Sequence, residues 1–117
     1  MMVPITKDDI QKHLDVLVNK EVYVHLETTT GAYSAHMNEN NMTVVAFIRN
    51  AKVSFDQAKI TGQGPYRVGL KIDHGWIYAE GLTDWVYNEN NQLLMAGHDR
   101  EGKLAIALQI SETPFAE

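Results

Sequence analysis

Along the first twenty residues, apolar side chains recur at helical spacing. In "ITKDDIQKHLDVLVNK", Ile10, Leu14, Leu17 and Val18 share one stripe, and charged or amide side chains fill most other positions. Thr6 stands where an N-cap belongs. Asp8 and Asp9 place negative charge in the first turn, where the helix dipole favours it. The spacing predicts one helix over 5–19, ended near Lys20 and covering one face or end of a sheet.

After Glu21 the period drops to two. "EVYVHLET" alternates Val22, Val24 and Leu26 against Tyr23, His25 and Glu27. Further strands are predicted in "AYSAHM", "MTVVAFIRN", "KVSFDQAKIT", "YRVGLKI", "WIYAEGLTDWVY", "QLLMAG" and "KLAIALQIS". Turn-forming stretches separate several of them: "TTTG", "NENN", "TGQGP", "DHG" and "DREG". Strands this short and evenly spaced predict a mainly β chain. The expected fold is an antiparallel barrel, pseudobarrel or sandwich of about eight strands with one N-terminal helix. It occupies a single domain, 1–117, with strands over 21–111 and a tail over 112–117. The repeated "NENN" reads as two convenient turns; the faint echo "GAYSA"/"GWIYA" does not keep the same spacing, which argues against duplication.

"VYVHLETTTGAYSAH" looks like a tight hairpin. With a two-residue turn at Thr30-Gly31, Glu27 pairs with Ser34 and His25 with His36; a four-residue loop keeps these groups on one face. His25, Glu27 and His36 then form either the polar outer face of a half-solvated sheet or a site. As a site they could hold a small ligand, share a proton, or bind a divalent metal. No H-E-x-x-H or H-x-H spacing supports the metal, and the solvated face is the reading that absence favours.

Three charges fall in phase with apolar neighbours: Arg49 with Val45 and Phe47, Glu80 with Trp76 and Tyr78, and Asp84 between Leu82 and Val86. An inward charge needs a partner or a wet cavity. One resolution is a bulge or strand end, for which Gly81 and Asn50 are well placed. The other is a barrel mouth lined by Arg49, Tyr66, Arg67, Trp76 and Glu80, suited to a small anion forked by arginine. His98 beside Asp99 in "AGHDREGK" sits in a turn, where charged residues are normally solvated. Ser34, Ser54 and Ser111 lack a nucleophile-elbow context.

The bulk numbers narrow the classes. With 10 basic and 15 acidic residues the net charge is −5. The charges are scattered, which disfavours nucleic acid as a partner. No cysteine is present, so disulfides, thiolate metal sites and cysteine nucleophiles are excluded. No apolar run reaches the ~18 residues of a membrane span, and the start, "MMVPITKDDIQKHL", lacks the charged-then-apolar plan of a signal peptide. A cytoplasmic protein is expected.

Several blocks in combination, "VYVHLETTTGAYSAH", "AFIRNAKV", "ITGQGPYRVGLKI", "GWIYAEGLTDW" and "LLMAGHDREGKLAIAL", resemble the YojF-like family of small proteins of Bacillus and its relatives. The resemblance covers nearly all the chain after the helix. It implies a mostly β pseudobarrel with an N-terminal helix, no established activity, and no catalytic residues to carry over. It also implies encoding near a deacetylase of the bacillithiol pathway, hence an accessory or partner role.

The expectation is therefore a non-catalytic β module without a cofactor that binds a small polar or anionic ligand or a partner protein. Two alternatives stay open: a metal-assisted enzyme on His25, Glu27 and His36, and a structural accessory subunit of a partner enzyme. Aromatic and Met-rich strands also allow an apolar patch and a homodimer.

Overall fold

The computed structural model describes residues 1–30 and 44–116, with the side chains of Thr30, Val44 and Val45 excepted. The apolar stripe forms helix α1, Lys7–Leu17, and buries Ile10, Leu14 and Leu17. The helix is shorter than the predicted 5–19. Ile5 is instead tied by its N–H to the Thr83 carbonyl at 3.0 Å. At the other end Asn19 turns to φ 66° and donates its N–H to the Phe55 carbonyl at 2.8 Å.

Among the described residues eight strands form one sheet: β1 (Val3–Pro4) before the helix, then β2 (Glu21–Thr30), β3 (Val44–Gly62), β4 (Tyr66–Ile72), β5 (Gly75–Leu82), β6 (Asp84–Tyr87), β7 (Gln92–His98) and β8 (Leu104–Ser111). All paired neighbours are antiparallel, in the order β1-β6-β7-β8-β2-β3-β4-β5. The mainly β fold with one helix is as the periodicity predicts. The sheet curls until β5 packs on β7 and β8, yet its edge strands do not pair, so it is an open pseudobarrel.

The curl depends on β3, which runs through two predicted strands without a break. Its first half pairs with β2 and its second with β4. The change of partner comes at Phe55, followed by a bulge at Asp56, a usual way for one strand to turn a sheet corner. Conversely, the predicted strand "WIYAEGLTDWVY" divides at Thr83 into β5, at one end of the strand order, and β6, next to β1 at the other. The inner faces meet in one core: Val22 and Val24 of β2, Phe55 and Ile60 of β3, Val68 and Leu70 of β4, Leu82 of β5, Leu93 and Met95 of β7, Leu108 and Ile110 of β8, and the helix stripe.

Past the corner, one edge of β3 has lost β2, and α1 covers it. Gln11 Nε2 donates to the Ala58 carbonyl at 2.9 Å, and the Ile60 N–H donates to Gln11 Oε1 at 3.0 Å. The side-chain amide thus replaces a neighbouring strand, while Lys7 Nζ donates to the Gly62 carbonyl at 3.0 Å. Gln11→Ala strands the part-buried Ile60 N–H and is expected to cost about 1–2 kcal/mol in urea unfolding. Faster hydrogen exchange at the Ile60 amide is expected with it; unchanged exchange there would show that the edge does not rely on Gln11.

Candidate functional site

Of the predicted site residues, the structure brings His25 and Glu27 together. They are successive outward positions of β2, since Val22, Val24 and Leu26 take the inward ones. His25 Nε2 lies 3.1 Å from Glu27 Oε1. A carboxylate only accepts, so Nε2 carries the proton and donates. Although it points outward, His25 is only 5% exposed, and its Nδ1 is buried without a hydrogen-bond partner. The Phe47 ring meets the imidazole edge-on, 5.1 Å between centroids and 82° between planes.

Of the predicted pairing of His25 with His36, only the His25 side is among the described residues. β2 continues to Thr30, which pairs with Val44, so its partner strand begins well past the expected hairpin. Glu27 faces Phe47 on one edge and Ala107 on the other, and the β8 partner of His25 is Gln109. Both edges of β2 are therefore taken at this level. His36 and Ser34 lie outside the described residues.

Opposite His25 on β3 stand two residues rather than one, Arg49 and Asn50, because pairing jumps from Val24–Ala51 to Leu26–Ile48. Asn50 takes φ 55° in this bulge. Arg49 needs no inward partner, because Phe47 in phase with it faces outward, paired with Glu27 and exposed; the Arg49 side chain is likewise exposed and lies over the Phe115 ring, 5.0 Å from its centroid. It also donates from Nη2 to the Ala116 carbonyl.

Arg67, Trp76 and Glu80 form a separate group on the outer face of β4 and β5. Arg67 Nε is 3.2 Å from Glu80 Oε1, and its guanidinium lies 4.0 Å from the Tyr78 ring centroid. Tyr78 stacks on Trp76 with planes 6° apart. Tyr66 is half-buried against the core. Arg67 pairs with Thr61, near the far end of β3 from Arg49, so the proposed mouth of Arg49, Tyr66, Arg67, Trp76 and Glu80 is not assembled. Glu80 needs no inward partner, because Trp76 and Tyr78 face outward with it while Ile77 and Ala79 face the core. The bulge at Gly81, with φ 89°, falls after Glu80.

The half-buried pair of Asp84 with His98 is not legible from residue spacing. Asp84 Oδ2 accepts from Thr83 Oγ1 at 2.8 Å and from His98 Nδ1 at 2.9 Å. Asp99, the expected neighbour of His98, instead accepts from the N–H groups of Glu101 and Lys103 in its own turn. The signal lay in register: Asp84 pairs with Ala96, which makes His98 a diagonal neighbour on the same face. The kink at Thr83 places Asp84 on that outward side, correcting its expected inward phase.

Among the described residues, no three His, Asp or Glu side chains converge as metal ligands, and no helix is long and apolar enough to cross a membrane. An open groove runs between Lys7, Asp8 and Gln11 of α1 and Ala58–Gly62 of β3, and none of the predicted site residues lines it.

These features define a small curled-sheet module with a buried, carboxylate-fixed histidine on its outer face. The chain belongs to the family described as "Protein of unknown function (DUF1806)", which it matches over residues 4–115. It is 66% identical over 114 residues to the "Uncharacterized protein YojF" of Bacillus subtilis (strain 168), covering 97% of this chain and 98% of that protein. The crystal structure of Bacillus subtilis YojF superposes with a TM-score of 0.84 over 99% of this chain and 98% of that one, with 56% identity over the superposed residues. The family resemblance and the fold are thereby shown; neither relative's description assigns an activity.

Proposed function

We propose that this protein is a non-catalytic module that binds a small polar or anionic ligand on the outer face of β2, at His25 and Glu27. The observation that supports this reading is the unpartnered Nδ1 of a 95%-buried imidazole (5% exposed). Leaving a buried polar atom unpaired costs about 1–3 kcal/mol, which a ligand meeting it would recover. Glu27 orients the ring through Nε2, so Nδ1 is an acceptor in the neutral imidazole and a donor in the charged one. A hydroxyl or N–H suits the first state, and a carboxylate or phosphate oxygen the second. Arg49, at the bulge across the strand, adds positive charge that favours the anion.

Titration of the folded chain with sodium acetate and with inorganic phosphate, followed through the His25 ring resonances at pH 6 and pH 8, tests the reading. At least one anion is expected to give a saturable shift, weakened about tenfold by Glu27→Gln, which keeps the shape but loses the charge fixing the ring. No saturable shift with either anion at either pH would sink the proposal. Stoichiometric zinc that His25→Ala removes would replace it with the metal-centred alternative.

A further inference from the structure

The segment after β8 takes a path on which the outer face of β2 depends. Ser111, the last residue of β8, pairs with Tyr23 on one edge of β2. Phe115 is held on the other edge by a two-point clamp. Asn50 Nδ2 donates to the Phe115 carbonyl at 2.9 Å, and the Phe115 N–H donates to Asn50 Oδ1 at 2.7 Å. Arg49 adds a bond to the Ala116 carbonyl and lies over the Phe115 ring. Arg49 and Asn50 are the bulged pair opposite His25.

Running from β8 to β3 means crossing β2, a path of about two strand spacings or ~10 Å, within the ~13 Å reach of four extended residues. The inner face is filled at this level by Val22 and Val24, which are 0% and 1% exposed. Phe115 is 6% exposed but stands outside the core cluster. The crossing is therefore on the outer face, the side to which His25 points. A strap there, together with the Phe47 ring that meets the imidazole edge-on, accounts for an outward-facing imidazole that solvent barely reaches.

We propose that residues 112–116 form a lid over the His25–Glu27 site, latched by Asn50 and Arg49, and that a ligand enters when the latch releases. The inference rests on the ligand-binding reading of that site. The latch suits a lid because its anchor is local, apart from an exposed ion pair of Glu112 with Lys20 at 3.7 Å where the strap begins. Two adjacent residues of β3 supply three hydrogen bonds and a stacking surface, and no residue of the main core leaves when the strap lifts. The pairing of β8 with β2 and β7 stays intact. Asn50 adopts its φ of 55° at the point where its side chain grips the strap, the kind of uncommon backbone conformation that clusters at ligand clamps and switch regions.

Labelling with diethyl pyrocarbonate measures access to the ring without any ligand: an imidazole nitrogen attacks one reagent carbonyl, and the departing ethyl carbonate breaks down to carbon dioxide and ethanol. In the full chain, His74, whose side chain is 97% exposed, serves as internal reference. Read by peptide mass spectrometry, His25 is expected to react at least about tenfold slower than His74 in the unaltered chain and to gain about tenfold in Asn50→Gly and in Phe115→Ala, with His74 unchanged. Glycine keeps the left-handed backbone at position 50 accessible, and Phe115→Ala acts from the strap side, so the two variants reach one endpoint independently. A His25 rate within about twofold of the unaltered chain in both variants overturns the lid, and so does rapid labelling of the unaltered chain. A freed His25 that labels readily but responds to neither acetate nor phosphate leaves the lid standing and removes the binding reading.

Discussion

Gly97→Ala is expected to destabilise the protein by about 3 kcal/mol or more, at the upper end of overpacking effects. Gly97 lies on β7 where β5 crosses it to close the curl. A Cβ at that position would meet Gly81 backbone, with the carbonyl carbon 2.9 Å away and its oxygen nearer still, and would sit 2.7 Å from Ile106 Cγ2. A methyl-bearing side chain could swing away, but a carbonyl in a bulge that β4 holds in register cannot. The neighbour on the other side is no freer, because β7 is itself paired to β6 and β8. At roughly 4 °C per kcal/mol for a chain of this size, the melting temperature should fall by roughly 12 °C. Gly75→Ala is the control, since nothing lies within 4 Å of a Cβ there; it should leave the midpoint nearly unchanged. A Gly97→Ala midpoint within about 2 °C of the parent would mean that β5 and β7 do not approach as described.

The contact between Gly81 and Gly97 also marks the limit of what sequence pattern reveals. Period and stripe recover the elements whose burial is one-sided. Ile10, Leu14 and Leu17 go inward as a helical stripe, and Val22 and Val24 as an alternating one. Phase fails where aromatic residues remain outside. Trp76 and Tyr78 look like core, yet they stay exposed, stacked on each other, with Arg67 against the Tyr78 ring and that ring lying over Gly69. Cross-strand contacts of this kind stabilise a solvated face without burying it. The turn expected within "TTTG" does not end β2 before Thr30, which still pairs with Val44 of β3; the rest of the predicted hairpin, 31–36, lies outside the described residues.

The candidate site was half legible. His25 and Glu27 share a face by strand period alone, so their contact follows from the sequence. Asn50 suits a place where a strand breaks, and Gly81 a place for a bulge; both do interrupt the pairing, although β3 runs on past Asn50. What a bulge then positions cannot be read from spacing. The grip of Asn50 on Phe115 joins residues 65 apart in the chain, and no local pattern in either stretch announces it. The same holds for His98, whose partner Asp84 lies 14 residues away across a strand pairing.

Phe55→Ala should produce the second large loss, about 3–5 kcal/mol, typical of deleting a buried ring. Phe55 is fully buried and heads the largest buried side chains of the core. It also sits where three parts of the fold meet. Ser54, just before it, pairs with Glu21 of β2; Phe55 itself pairs with Ile72 of β4; and its carbonyl receives the Asn19 N–H at the exit of α1. A cavity at such a corner cannot be filled by one element moving, because any shift toward it pulls on two sheet segments and the helix. The cost should therefore stay near the full value, with Phe55→Leu recovering most of it. The same geometry fixes how the variant unfolds. If the ring joins the two segments into one cooperative unit, tryptophan fluorescence from Trp76 on β5 and Trp85 on β6 and far-ultraviolet circular dichroism should give coincident transitions, both shifted to lower urea. A loss below about 1.5 kcal/mol, or transitions that separate in the parent as well as in the variant, would show that the halves of β3 belong to independently stable units and that the corner is packing without consequence.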